Sequence, residues 1–412
     1  MLLTDWLAIA AVALLAAAVL PGTLVFLMLT NRLAVSEGGA RYIYGNAMWV
    51  GIASLALALY TLYRAVVAGP SHYLSPPFIG SVLLYGAVLV WGFFMHTKLM
   101  FRPVRDPVYL DATTALKRFG GSEEVVGVID GAGRPWAYIA RLSRRPHVVY
   151  QPEGDNPFIM THCILAHSSM AFAMDDRFNQ PDITITAALA NNMVFYDKTS
   201  QCSVIQMHNQ SLDRSMPLTT LPTVAMSLQS WAKLYPDSKV WYRDISWRDV
   251  FYLKMLARAD VIDPESPVMV YPLQNGLDPR LSMKSNVMGV KIGEASMTYP
   301  ASLFVDGKDN VINDVVGGVP IAVVSLLGGD FVQVYDRRLG DRELTFAAAD
   351  DGTFTDAETG STWAPTGTAV AGSLAGQQLA AVPHYNKIFW YVWSDFNPGT
   401  PIHAANSAAT AD

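Results

Sequence analysis

The chain has 412 residues, 51 % of them hydrophobic, and 35 acidic against 29 basic side chains give a formal net charge of -6. An acidic balance with no basic stripe or patch argues against nucleic acid as a partner. Two cysteines in the whole chain exclude a disulfide framework.

The apolar residues cluster at the N-terminus. Trp6 to Leu29, Tyr42 to Tyr63 and Val66 to Thr97 contain no Asp, Glu, Lys or Arg. A hydrocarbon core of ~30 Å needs about 20 residues of helix, so each stretch is long enough to span, and residues 1–105 read as a membrane anchor of three transmembrane helices. No basic residue precedes the first run, which disfavours a cleaved signal peptide. Arg64 ends the second run, where it can snorkel to the interface. Arg32 and Arg41 lie between runs one and two, Lys98, Arg102 and Arg105 follow run three, and the opposite side holds Arg64. Basic loops stay inside, so this count expects an inner-membrane protein with its soluble region in the cytoplasm.

Beyond residue 120 the chain reads as one strand-rich unit written twice. In 122-SEEVVGVIDGAGRPWAYIARL-142 and 284-KSNVMGVKIGEASMTYPASL-303, Val125/Val287, Gly127/Gly289 and Val128/Val290 fall in register, and one residue of slippage aligns Tyr138 with Tyr299. Segment 157–169 lies over 320–330, 195–204 over 354–363, and 221–240 over 382–401. The expected organisation is a first repeat at 122–241, a helical and Pro-rich linker at 242–283, a second repeat at 284–402 and a disordered tail at 403–412. β-branched runs punctuated by Gly, Asp and Asn predict strands, with one closing helix per repeat, Ala225 to Tyr235 and Asn386 to Phe396. Ser246 with Asp249 predicts a capped helix over 246–259. The fold class is therefore N-terminal transmembrane α-helices followed by a mainly-β (α+β) soluble region of two repeated strand-rich domains.

These blocks carry a family likeness. The order VVGV…AY, a buried strand, 356-DAETGSTW-363, 372-GSLAGQQL-379 and 389-FWYVWSDFNPGT-400 resembles the bacterial domain of unknown function 3179 family, the second repeat more closely than the first. The resemblance implies an architecture over 122–402 without an assigned activity. It also implies an extracytoplasmic domain, the alternative to the basic-residue count. A cysteine usually begins the family's buried-strand element; Cys163 matches it, and Ala166 stands where a second would complete C-x-x-C.

Metal-capable side chains gather in the first repeat around 158-FIMTHCILAHSSMAF-172. Strand alternation turns Met160 and His162 to one face and Thr161 and Cys163 to the other, so His162 and Cys163 do not share an ion on a regular strand. Aligned across the repeats with one gap, Cys163 meets Ser325; without a gap, Cys202 meets Ser361. Cys163, His167, His208, Met207 and His162 form the candidate metal set, whose thiol, thioether and imidazole donors favour copper. Cys163 and Cys202 form a candidate thiol pair. No metal-spacing rule is met, and buried histidines with gap-filling methionines account for the same residues. No G-x-S-x-G, phosphate loop or dinucleotide fingerprint is present. The apolar helix 388-IFWYVWSDF-396 is either a buried closing helix or a contact surface.

Two functional classes follow. The first is a membrane-anchored binding or accessory protein, a subunit beside another membrane protein or its own copies. The second is a copper- or thiol-dependent oxidoreductase centred in the first repeat, with catalytic residues unassigned.

Overall fold

The computed structural model describes residues 1–404 except 26–27, 257–258, 305–306 and 350, so most of the expected tail lies outside the described residues. Two compact units emerge. One holds Met1–Pro103 with Asp176–Leu218; the other holds Val104–Asp175 with the chain from Thr219 onward.

In the first unit, three helices among the described residues are long and apolar enough to cross a membrane. They are α1 (Leu3–Thr23), α2 (Ala47–Ala68) and α3 (Pro76–Met95). Helical turns from Glu37 lead continuously into α2. The second helix runs past Tyr63 and stops where Gly69 takes φ +97°, a region open to glycine. The uncharged run from Val66 is thus broken, and α3 starts only after Ser75, whose hydroxyl accepts from the Phe78 N–H with proline following at the first helical position.

The spans close on small residues and polar bridges, as lipid-exposed helices must without a hydrophobic drive between them. A Cβ on Gly92 would lie 2.6 Å from Val19. Ser54 donates to the Ala11 carbonyl at 2.7 Å, and the Trp91 indole donates to Thr23 at 2.8 Å. The same unit contains an antiparallel sheet in the order β10-β9-β8-β7, built from β7 (Ile183–Leu189), β8 (Asn192–Asp197), β9 (Cys202–Ile205) and β10 (Gln210–Ser211). It docks on the chain flanking the spans: Asn31 donates to the Ala188 carbonyl at 2.9 Å, and the Tyr44 hydroxyl donates to the Thr186 carbonyl at 3.2 Å.

The second unit is built from small sheets. Its first half has β1 (Val108–Asp111), β2 (Glu124–Ile129), β3 (Pro135–Ile139), β4 (Val148–Gln151), β5 (Phe158–Cys163), β6 (Ser168–Ala173), β11 (Thr220–Leu221), β12 (Thr223–Ser227) and β13 (Lys239–Tyr242). Its second half has β14 (Asn286–Ile292), β15 (Ala295–Pro300), β16 (Asn310–Val316), β17 (Val319–Leu326), β18 (Phe331–Asp336), the short pair β19 (Arg338–Leu339) and β20 (Arg342–Glu343), then β21 (Phe346–Ala348), β22 (Phe354–Asp356), β23 (Thr362–Trp363), β24 (Ala369–Ala371) and β25 (His384–Phe389). Its longer helices are α4 (Ala112–Phe119), α5 (Leu228–Leu234), α6 (Trp247–Leu256) and α7 (Trp390–Phe396), with shorter helical turns such as Ala140–Ser143 between them.

The closing helices are shorter than their sequence spans because a strand precedes each: the chain runs β12–α5 and β25–α7. In α5 the Ser227 hydroxyl accepts from the Ser230 N–H, which fixes where strand turns into helix.

The order β3-β2-β12 in one sheet recurs as β15-β14-β25 in another. Helix α5 ends on Tyr235 at φ -132°, ψ 66°, and α7 on Asn397 at φ -131°, ψ 66°. Trp231 of α5 lies on Gly127 of β2, and Trp393 of α7 lies on Gly289 of β14; a Cβ would meet those rings at 2.0 and 2.6 Å. Both indoles are buried and donate at 2.8 Å, Trp231 to Ser238 and Trp393 to Thr298. Trp390 and Trp393 have no exposed surface, so of the two expectations for 388–396 the buried closing helix is the one found.

The halves grip each other through their hairpin turns. The turn after β5 offers the Ala166 carbonyl to the Phe389 N–H (3.0 Å) and the Leu165 carbonyl to the Tyr391 hydroxyl (2.9 Å), at the β25–α7 junction. The turn after β17 places Asp330 against the backbone N–H (2.9 Å) and hydroxyl (2.6 Å) of Ser227, at the β12–α5 junction.

Overpacking should expose these Gly–Trp contacts. Gly127→Ala and Gly289→Ala are each expected to lower stability by ~1–3 kcal/mol, read as the thermal midpoint of the full chain in detergent. Adding Trp231→Phe to Gly127→Ala is expected to recover part of the loss. A Gly127→Ala midpoint equal to wild type would contradict the packing.

Candidate functional site

β5 is buried along its whole length and pairs with β6, setting His162 opposite Ser169 and Cys163 opposite Ser168. The turn between them ends on His167, at φ +54°, a left-handed conformation that non-glycine residues adopt sparingly. There the imidazole is half-buried, with Nδ1 3.0 Å from Asn286 Oδ1 and its ring 5.2 Å from that of Phe389. An amide oxygen accepts, so Nδ1 carries the proton and Nε2 is the acceptor of the neutral ring.

His162 and His167 line one small cleft with residues of β2, β6, β12 and β25. Its volume of about 10 Å³ admits a single water-sized group. His162 Nδ1 is engaged by the Ser169 hydroxyl at 2.9 Å, which leaves Nε2 for a ligand. On another wall the Asn386 amide donates to the Thr223 carbonyl at 2.6 Å. Lys387 and Glu124, both half-buried, form an ion pair at 2.7 Å. The Thr223 hydroxyl oxygen is buried with no hydrogen-bond partner. An unsatisfied buried hydroxyl costs about 1–3 kcal/mol, which a group entering the cleft would relieve.

Burial holds the His162 imidazole well below the ordinary histidine range, and the neighbouring His167, His147 and Arg144 push the same way. His147, whose carbonyl accepts from the His162 N–H, is pushed down to about 4 by burial. At neutral pH His162 is therefore an uncharged imidazole, able to accept a hydrogen bond or bind a metal through Nε2.

Of the residues singled out from sequence, the cleft gathers His162 and His167. Cys163 is buried at the end of β5, on the strand face opposite His162. Cys202 opens β9, while Met207 and His208 belong to the 3-10 turn Gln206–His208 after it; all three lie in the other compact unit. Neither cysteine is disulfide-bonded.

Cys163 faces Ser168 across a four-residue turn, as Leu326 faces Phe331, so by strand register Cys163 occupies the hairpin position of Leu326 and His162 that of Ser325. Cys202 pairs with Asp197, and the Asp356 N–H donates to the Ser361 carbonyl. Both aspartates cap their turns, Asp197 on Ser200 and Asp356 on Thr359.

Sequence reading did not find Glu124, Ser169, Thr223, Asn386 or Lys387. The signal was faint: an Asn-Lys pair in 384-HYNKIF-389, directly before an apolar helix. Among the described residues, the group of three potential metal ligands with atoms within 4.8 Å of one another is Glu37, Cys202 and Asp213, in the first unit. Burial pushes the Cys202 thiol up, as do the Asp213 and Glu37 carboxylates, while hydrogen bonds from Ser211 and Ser215 hold Asp213 at about 2. The thiol is thus protonated at neutral pH.

Compared with known proteins, residues 102–400 match a family described as "Protein of unknown function (DUF3179)". No curated protein and no solved structure matches the chain.

The depressed imidazoles set a pH dependence. Between the ordinary histidine value near 6.5 and about 4, the unfolded chain binds a proton at His147 that the folded chain does not. His162 and His384, also lowered by burial, act in the same sense. Stability should therefore fall as pH drops from 7 to 5, with each such histidine contributing at most ~1.4 kcal/mol per pH unit. Thermal midpoints across that range should show the acid slope, reduced in His162→Gln; a flat profile would contradict the assignment.

Proposed function

The chain belongs to the DUF3179 family, and from that premise we propose that it is a membrane-anchored binding protein, an accessory component that engages another membrane protein or a further copy of itself through the His162/His167 cleft. The observation carrying this reading is the cleft itself: an uncharged imidazole and an unsatisfied Thr223 hydroxyl meet in a recess sized for the tip of one side chain or an ion. Such a preformed polar recess gives specificity to whatever fills it. Three apolar helices support a bilayer setting in which the partner is met at high local concentration.

The oxidoreductase reading has less support. It needs Cys163 and the imidazoles on one ion, whereas alternation along β5 sets Cys163 away from the His162 face. We further infer that the two halves of the strand-rich region descend from one module, supported by the recurring strand order and the paired Gly–Trp contacts. On this view the first half acquired the histidines, and Ser325 marks the ancestral polar position that corresponds to His162. The basic residues around the spans support a cytoplasmic strand-rich region. A C-terminal reporter active only when exported would reverse that orientation if it proved active.

A photo-crosslinking residue in place of Lys387 is expected to give one defined adduct in native membranes, weakened several-fold by His162→Ala. No adduct, with the chain running as a lone monomer, would overturn the binding role. Metal analysis of the purified chain addresses the rival: stoichiometric copper, lost in Cys163→Ser and His167→Ala, would favour the oxidoreductase.

A further inference from the structure

Helix α6 has its polarity reversed. Its inward face is ionic: the buried Asp249 carboxylate pairs with Arg145 and Arg243 and accepts from the backbone N–H (2.6 Å) and hydroxyl (2.5 Å) of Ser246. On the same face the Arg145 guanidinium lies 4.8 Å from the centre of the buried Tyr252 ring. Facing outward, Trp247 is 67 %, Val250 45 % and Phe251 45 % exposed, one helical stripe, with Ile245 just before it 51 % exposed. A helix on a water-facing surface would present the opposite pattern, and an apolar stripe of this kind marks a contact.

Chain connectivity points to the occupant. β1 is the first strand after the third span, and its first residue, Val108, pairs with Tyr242, the last residue of β13. Ile245 follows Tyr242 by three residues, so α6 leaves the end of the β1–β13 pair at which the chain arrives from the bilayer. Twelve residues lie between Met95 and Val108, a tether of thirteen Cα–Cα steps that spans at most ~45 Å at about 3.5 Å per step. Val108, itself 57 % exposed, adds a further apolar side chain at that end. The residue types also fit a lipid interface. Tryptophan favours the headgroup level, the Arg248 guanidinium lies 5.8 Å from the Trp247 ring, and exposed Lys254 continues the stripe by one turn, where its ammonium can reach phosphates.

We propose that α6 lies in the membrane interface, with Ile245, Trp247, Val250 and Phe251 against the headgroup–acyl boundary. The helix is a second, peripheral attachment of the chain to the bilayer. Its ionic inner face anchors it to the strand-rich unit, so the apolar stripe is held rigidly outward.

The test uses the full chain carrying Cys202→Ser, whose remaining cysteine is buried, reconstituted in phosphatidylcholine–phosphatidylglycerol vesicles. A nitroxide at Val250→Cys is expected to relax more with oxygen than with a water-soluble nickel chelate, and one at the exposed Val370→Cys the reverse. Equal nickel accessibility at the two sites would overturn the proposal, as would a Val250 label shielded from both reagents, the mark of a protein cover. A second measurement needs no cysteine. In vesicles of brominated phosphatidylcholine, Trp247→Phe is expected to remove a bromine-quenched part of the tryptophan emission; an unchanged quenched intensity would overturn it equally.

Discussion

Two hairpin turns, each clasping the strand–helix junction of the opposite half, organise the strand-rich unit. Ala166 and Leu165 offer carbonyls to Phe389 and Tyr391, and Asp330 receives the N–H and hydroxyl of Ser227. The clasps are reciprocal, and buried backbone groups without partners are costly, so one cannot open without orphaning polar atoms in the other half. The cleft is a consequence. Because the β5–β6 turn is pulled onto β25, His162 and His167 come to face Asn386 and Lys387 across a gap that neither half encloses alone.

Two indole–glycine contacts supply the apolar counterpart. Trp231 and Trp393 lie so close to Gly127 and Gly289 that any side chain there would displace a ring. The polar clasps fix register, and the indoles supply the buried area that makes the register favourable. Helix α6 is different in kind, since its buried face is an ion network and Trp247, Val250 and Phe251 are exposed on the other side. Charges removed from water in this way add little net stability but hold a defined geometry.

Much of the architecture was legible in the chain. Uncharged runs marked the spans, although Gly69-Pro70 and Ser75-Pro76-Pro77 move the boundary between the second and third. Val125, Gly127 and Val128 lie on β2 and Val287, Gly289 and Val290 on β14, each strand carrying its glycine against a tryptophan ring. Strand alternation also separated His162 from Cys163. The site was legible only in part: His162 and His167 stood out as ligand-bearing residues, whereas Glu124, Thr223 and Lys387 did not.

By itself the sequence determined what local chemistry controls. Hydropathy over a span's length commits a helix to lipid, period-two patterning makes a strand, and glycine or proline ends an element. These are properties of neighbours in the chain. Tertiary structure alone decided which distant groups meet: Lys387 pairs with Glu124, and Asn386 binds the Thr223 carbonyl. It also decided that 176–218 folds with the spans and that α6 turns its charges inward. The physical reason is that a hydrogen bond or ion pair acts over a few ångströms, while the residues it joins here lie more than a hundred positions apart. No local pattern encodes a partner brought near only by folding.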